Sequence, residues 1–577
     1  MIYFISRQQR ITDFDESEIQ QGTVEQALEY FREKEFISLD TETTGFDPHK
    51  DKVLLLQLGD KENQFVFDET IDFTIFKEYL ESKLILGQNI KFDLRFLFKL
   101  GIYPTKVYDT FLAEIKLTQG IQNTRRNLQA LNEKYVGTDE VDKSLRGLIH
   151  RGISSIVIKY AANDVKPLEI IKEKQLQEAK ALDLEKAIQL ENEFCIPLAY
   201  TEFCGIFVDP AKWKTKVDRK TKELALAVEN LNNYILDNKM FKYVDGQLDL
   251  FNPEAKPTIT INWNSDKYVK KLFKELGINV TITEKGVEKE SVDAKVLKPQ
   301  LKDFEILPLY LNYKKLEKDV STYGYKFLRQ VNPNTGRIHT SFKQIVTTGR
   351  MASGGKNKAT GEEYINLQNI PADSETRDCF TNQFDDTILV NCDYSGMESV
   401  VLTNVSKEIN LIEFYQKGSS DLHSFVASKL FSIRYEAIVE AIRKKDEGEE
   451  LSDDEKLYLK KRKIAKAANF ALAYGGLGFT IAKNLSVSIV EGNPVETSYF
   501  DAFKDLKLFF DKQEKAALEN GYILIDSLTG SKYFIAEFNR FNILQEKYAF
   551  SDKNRDCWDK WKIEKAAESN WYWEAKK

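Results

Sequence analysis

Apolar positions fall in short runs over the first third of the chain, and polar turns separate them. Residues 36–40, 53–58 and 64–67 are dense in Ile, Leu, Val and Phe and are bounded by Asp, Gly and Asn, which predicts three strands in succession. Strand and helix patterns then alternate to about residue 175. This predicts an α/β domain that begins with antiparallel strands. Residues 168–193 read as one long charged helical run leading to Ile196-Pro197. Residues 211–240 and 266–330 read as helical and lysine-rich, and residues 407–520 as mostly helical. Within the last stretch, residues 443–463 carry so many charges that a solvated helix pair is expected. Between these helical regions, Ile388-Leu389-Val390-Asn391-Cys392-Asp393 reads as one more strand, ending in an acid.

The strand-end acids bring in chemistry. Asp40 and Glu42 are two residues apart where the run 36–40 gives out, so in an extended strand they share a face. Two like charges held side by side call for a cation between them, and hard carboxylate oxygens suit magnesium or manganese. Two further pieces come later in the chain: Asn89-Ile90-Lys91-Phe92-Asp93 after a short apolar strand, and Tyr160 and Asp164 four apart on a helical stretch. Four carboxylates and a tyrosine are the parts for two-metal phosphodiester hydrolysis.

A second constellation lies near the end of the helical region. Arg462, Lys466, Phe470 and Tyr474 are spaced by four, so they run along one side of a helix. Two cations followed by two rings suit neither a core nor a plain surface. They suit a triphosphate at one end and a base at the other.

Length, charge and cysteine usage narrow the class. At 577 residues the chain needs three or four domains. The net charge of −7 argues against a wholly basic surface, although a nucleic-acid cleft needs only local positive charge. The five cysteines form no Cys-x-x-Cys pair, so neither a zinc site nor a disulfide framework is expected, and a reducing cytoplasm fits. The first residues lack the apolar core of a signal peptide, and no segment reaches the ~20 apolar residues that span a bilayer.

The order Asp-x-Glu (40–42), Asn-x-x-Phe-Asp (89–93), Tyr-x-x-x-Asp (160–164) resembles the proofreading 3′→5′ exonuclease family. Residues 393–398 (Asp-Tyr-Ser-Gly-Met-Glu) are similar to motif A of family A, polymerase I-like DNA polymerases, and 462–475 to their motif B. Thr348-Gly349-Arg350, Asn366-Leu367-Gln368-Asn369-Ile370-Pro371, Asp421-Leu422-His423-Ser424 and Asn262-Trp263-Asn264-Ser265 resemble further segments of that family. The resemblance implies a ribonuclease H-like α/β exonuclease domain followed by a right-hand polymerase region. Asp40, Glu42, Asp93 and Asp164 would be metal ligands, and Tyr160 would orient the water. Asp393, with the Tyr394 carbonyl, would bind the polymerase metals; Glu398 would exclude ribonucleotides. His423, Arg462 and Lys466 would hold the triphosphate, Phe470 and Tyr474 would pack beside sugar, base and template, and Arg350, Gln368 and Asn369 would contact the duplex. It implies two magnesium (or manganese) ions per centre, with primer–template, single-stranded DNA and deoxynucleoside triphosphates as partners, no membrane, and a bacterial or phage-infected cytoplasm.

Expected boundaries are exonuclease 1–175, connecting helix and palm start 176–210, thumb 211–332, palm with motif A 333–400, fingers with motif B 401–540 and a terminal segment 541–577. Motif A departs from the family pattern at Gly396, Ser399 and Val400. A late His-Asp-Glu motif, which supplies the family's second polymerase aspartate, is missing: none of the four histidines is followed by Asp-Glu. The palm is therefore expected to be incomplete. A truncated product, a split enzyme completed by a C-terminal polymerase fragment, and a lineage that has dropped synthesis all stay open. So do a stand-alone exonuclease and a non-catalytic nucleic-acid-binding subunit.

Overall fold

The computed structural model describes residues 1–8, 18–121, 124–137, 152–245, 258–284, 287–356, 361, 363–418, 421–473, 475–485 and 489–535. Seven strands make one mixed sheet: β1 (Ile2–Ile5), β2 (Ile19–Gln21), β3 (Phe36–Thr43), β4 (Val53–Gly59), β5 (Gln64–Asp68), β6 (Leu84–Gly87) and β7 (Lys106–Asp109). Their spatial order is β2-β1-β5-β4-β3-β6-β7. β3, β4 and β5 pair antiparallel, and β6 and β7 add on in parallel. This matches the predicted antiparallel start.

The sheet is covered on both faces, which is why its strands read as continuous apolar runs. Ile37 and Leu39 of β3 and Leu56 and Leu58 of β4 pack with Leu94 and Leu97 of helix α1 (Lys91–Lys99) in the main core. Leu55 and Val66 point the other way, onto Ile158 and Ala161 of helix α2 (Ser155–Val165). Alternation along β3 therefore sends residues 37, 39 and 41 toward α1, and residues 38, 40 and 42 toward α2.

The charged run expected at 168–193 is two helices, α3 (Leu168–Ala181) and α4 (Glu185–Cys204). The break falls at Asp183, whose φ of 52° no helix tolerates. α4 carries on through Pro197 into the next domain. There α5 (Pro210–Asp237) packs along α6 (Ile306–Tyr323) around a core that includes Trp263, Phe273 and Tyr310. The reading of 266–330 as helical misses an antiparallel hairpin, Thr281–Glu284 with Val287–Glu290. Lys and Glu, which favour helices, dominate that segment, and only the cross-strand pairing decides it.

The later helices form a third core around Val426, Ala468, Leu472, Tyr499 and Phe503. The expected charged helix pair is present as Tyr435–Asp446 and α7 (Asp453–Ala473). A last hairpin, β8 (Tyr522–Asp526) with β9 (Ser531–Phe534), comes after them. Residues 541–577 of the expected terminal segment lie outside the described residues.

One predicted strand does not form. Residues 388–393 are irregular, and Ile388, Val390 and Tyr394 are 84%, 68% and 81% exposed. A strand needs a neighbour to take up its backbone N–H and C=O groups. Among the described residues none pairs with this segment.

Candidate active sites

β3 and α2 build the first site. Asp40 and Glu42 project from the α2-facing side of β3, and Asp164 sits one turn beyond Tyr160 on α2. One carboxylate oxygen from each of Asp40, Glu42 and Asp164 lies within 4.8 Å of the others. The strand register shifts between Glu42 and Thr43, a bulge of the kind that re-aims side chains beside active sites. A cleft of about 910 Å³ opens over Asp40, Tyr160 and Asp164. Three anionic oxygens converging in a partly buried floor repel one another. A hard divalent cation is the occupant this donor set fits.

Asp93 is not in that cluster. Its carboxyl accepts a hydrogen bond from Thr41 Oγ1 at 2.5 Å, and Thr41 belongs to the opposite, α1-facing side of β3. Burial pushes the Asp93 carboxyl up to about 7 against the opposing pull of that hydrogen bond. The sequence spacing placed Asp93 at the start of a helix but could not say over which sheet face the helix lies.

Asp109 was not singled out from the sequence. From the end of β7 it accepts the backbone N–H groups of Asn89 (2.8 Å), Ile90 (3.1 Å) and Phe111 (2.9 Å). Burial raises its carboxyl to about 6 despite these bonds. It ties the Asn-x-x-Phe-Asp turn to the next helix, and its position just before a helix start was the available signal.

A buried ion network joins the α/β domain to the region that follows it. Glu202, near the end of α4, pairs with Lys91 and lies 3.6 Å from Arg95, while accepting the Phe342 N–H at 2.6 Å. Ile345 enters the main core of the α/β domain. The segment around residues 342–347 is thereby held against the first site.

The second constellation is partly assembled. Arg462, Lys466 and Phe470 lie on α7. Arg462 donates to both carboxylate oxygens of Asp421 at 3.0 Å, and the Lys466 ammonium sits 5.9 Å from the Phe470 ring centre. The His423 ring is 5.5 Å from that of Phe470. Burial, then the charges of Arg462 and Lys466, lower the pKa of His423 and favour its neutral ring. Its Nδ1 is buried and makes no hydrogen bond among the described residues. Tyr474 lies outside the described residues.

The acids do not join this group. Asp393 and Tyr394 are exposed on the irregular segment, and Asp393 belongs to no cluster of three potential ligands among the described residues. Glu398 pairs with Arg350 at 2.5 Å, so two side chains expected to meet sugar and DNA meet each other. The Gln368 side chain clasps the backbone, accepting from the Ser353 N–H at 2.9 Å and donating to the Met351 carbonyl at 3.2 Å. The Asn369 carbonyl accepts the Tyr323 hydroxyl at 2.5 Å.

The description "DNA polymerase family A" matches residues 241–448 and 449–553. The chain belongs to DNA polymerase family A. The description "3′-5′ exonuclease" matches residues 19–178, which hold the whole first site. DNA polymerase I of Aquifex aeolicus is 27% identical over 545 residues, 89% of this chain and 83% of that protein. The Borreliella burgdorferi enzyme is also 27% identical; the match covers 90% of this chain and 54% of that longer protein. In fold, the chain is similar to the POL domain of Pol1 from M. smegmatis, in complex with DNA primer-template and dNTP. The TM-score is 0.68 at 19% identity, covering 98% of this chain and 85% of that one. This family A chain is thus a nucleic-acid-processing enzyme with a 3′-5′ exonuclease domain ahead of its polymerase domain. None of its described helices is long and apolar enough to cross a membrane.

Proposed function

We propose that the chain removes nucleotides from DNA 3′ ends at the Asp40–Glu42–Asp164 centre, as the editing function of a DNA polymerase. The observation that carries this is the convergence of three carboxylate oxygens within 4.8 Å at the floor of a large cleft. Asp40, Glu42 and Asp164 would hold divalent cations, magnesium or manganese, whose chemistry there is to activate a water and stabilise the departing 3′ oxygen. Tyr160, one turn from Asp164, would orient that water through its hydroxyl. Asp93, set behind β3, supports the centre by fixing Thr41 between the two strand acids. The test is shortening of 5′-labelled single-stranded DNA with and without added magnesium. Ladders that shrink from the 3′ end only with the metal support the reading; metal-independent shortening would overturn it.

For synthesis, Arg462, Lys466 and His423 are suited to a deoxynucleoside triphosphate and Phe470 to the sugar and base. Asp393 is the metal-binding acid of this centre, and its second carboxylate comes from outside the described residues. We place that acid on a palm segment that would pair with residues 388–393, because these have the composition of a paired strand and, among the described residues, stand unpaired and exposed. Primer–template and single-stranded DNA are the expected macromolecular substrates. A bacterial cytoplasm, or that of a phage-infected host, is the expected setting.

A further inference from the structure

The cleft over the exonuclease centre is not walled by the exonuclease domain alone. Lys343, Ile345 and Thr347 line it from the segment held by Glu202, and Tyr533 lines it from β9, more than 350 residues beyond the exonuclease match. The docking that brings β9 there is built into both partners. The Phe534 N–H donates to the Gln119 carbonyl at 2.8 Å. Lys116, buried, donates to Ser531 Oγ and to Gln119 Oε1 at 3.1 Å and lies 3.7 Å from Glu191. Lys532 reaches the Leu182 carbonyl, and Phe534 packs into the small core with Leu184 and Ile188.

Two glycines make the approach possible. Gly120 has φ +97°, and a Cβ there would lie 2.1 Å from the Phe534 carbonyl oxygen. Gly530 has φ +73°, and a Cβ there would lie 2.3 Å from the Asp183 carbonyl oxygen. A side chain at either would push the hairpin off.

Resting on the exonuclease reading above, we propose that Tyr533 and Lys343 bind the single strand on its way to the acids. In this arrangement Tyr533 is a stacking surface for a base, and Lys343 is a phosphate contact. The walls fit that ligand. Arg126 and Lys343 supply positive charge, and Phe111, Ile121, Leu128 and Tyr533 supply flat or apolar surface. A groove with cations for the backbone and rings for the bases takes single-stranded nucleic acid without regard to sequence. The polymerase half thus completes the editing channel, and a 3′ end enters it only where the two halves meet.

The test uses the full chain. A single strand carrying 5-iodouracil within a few nucleotides of its 3′ end should photo-cross-link to Tyr533, a readout independent of turnover. In steady-state degradation of a ten-nucleotide strand, Tyr533→Ala should raise KM about tenfold, with kcat within about twofold, since stacking on one ring is worth that much. Tyr533→Phe should keep the parent KM, and a dinucleotide, too short to reach Tyr533, should be cleaved alike by all three. Should Tyr533→Ala undock the hairpin, seen as a lower melting temperature, Lys343→Gln carries the test. It should lower the salt dependence of KM by about 0.7 in log–log slope. The proposal is overturned by cross-linking that avoids Tyr533, by an unchanged KM in folded Tyr533→Ala, or by an unchanged slope in Lys343→Gln. A parent chain that cross-links at Tyr533 yet never shortens DNA would instead overturn the exonuclease reading and leave this binding surface standing.

Discussion

The two centres of this chain were equally easy to find in its sequence and are unequally built in its structure. In the exonuclease half, Asp40 and Glu42 stand on a strand with neighbours on both edges and cover on both faces, and they converge with Asp164 of α2. In the polymerase half, the cation and ring stripe is in place on α7, yet Asp393 hangs on an exposed stretch. Both acids end apolar runs that read as strands. The difference lies in the neighbours. A helix satisfies its own backbone and can present Arg462, Lys466 and Phe470 unaided, whereas a strand positions a side chain only when other strands hold it.

The largest expected effect tests the complete centre. Asp40→Ala or Asp164→Ala should reduce 3′→5′ degradation by about a thousandfold or more, because each removes a ligand from the cluster of three carboxylates. Since each also relieves repulsion among the carboxylates, the metal-free melting temperature should not fall. Retained activity in either variant would break the comparison at its stronger end.

The next tests the incomplete centre. The Asp40→Ala chain alone should bind primer–template but not extend it at a useful rate. A two-metal centre with half its ligands forfeits most of its several-kcal/mol transition-state stabilisation. Adding a polypeptide with the missing palm acid should restore extension, and Asp393→Ala should prevent the rescue. Robust extension by the lone chain would mean that another acid of this sequence serves, and that the two centres are alike after all.

Tyr160→Phe should slow degradation about 10- to 1000-fold, less than loss of a ligand, because only a positioning hydrogen bond goes. A rate equal to the parent's would remove Tyr160 from the centre. Smallest is Lys466→Ala. Removing one charge-assisted contact of about 1.5–3 kcal/mol should weaken deoxynucleoside triphosphate binding about ten- to hundredfold, read by calorimetry. Since α7 is already formed, this effect should appear without any added palm segment. If it appears only with one, the stripe is less ready than its geometry indicates.

The sequence by itself determined the local parts. Short continuous apolar runs bounded by turn residues specified β3, β4 and β5, and spacing by four put Tyr160 with Asp164, and Arg462 with Lys466 and Phe470, on single helix faces. These are short-range consequences of strand and helix geometry. The tertiary structure decided everything that depends on which surface meets which. It bonded Asp93 to Thr41, on the α1-facing side of β3 and outside the cluster of Asp40, Glu42 and Asp164, because α1 covers the face opposite α2. It turned Asp109 and Glu202 from unremarked acids into the buried ties of two joints. Among the described residues it left 388–393 unpaired although their composition is that of a strand, and it brought Tyr533 to a cleft whose acids lie hundreds of residues earlier. Such contacts join residues far apart in the chain, and their energies come from burial and from pairing with partners that no local pattern names.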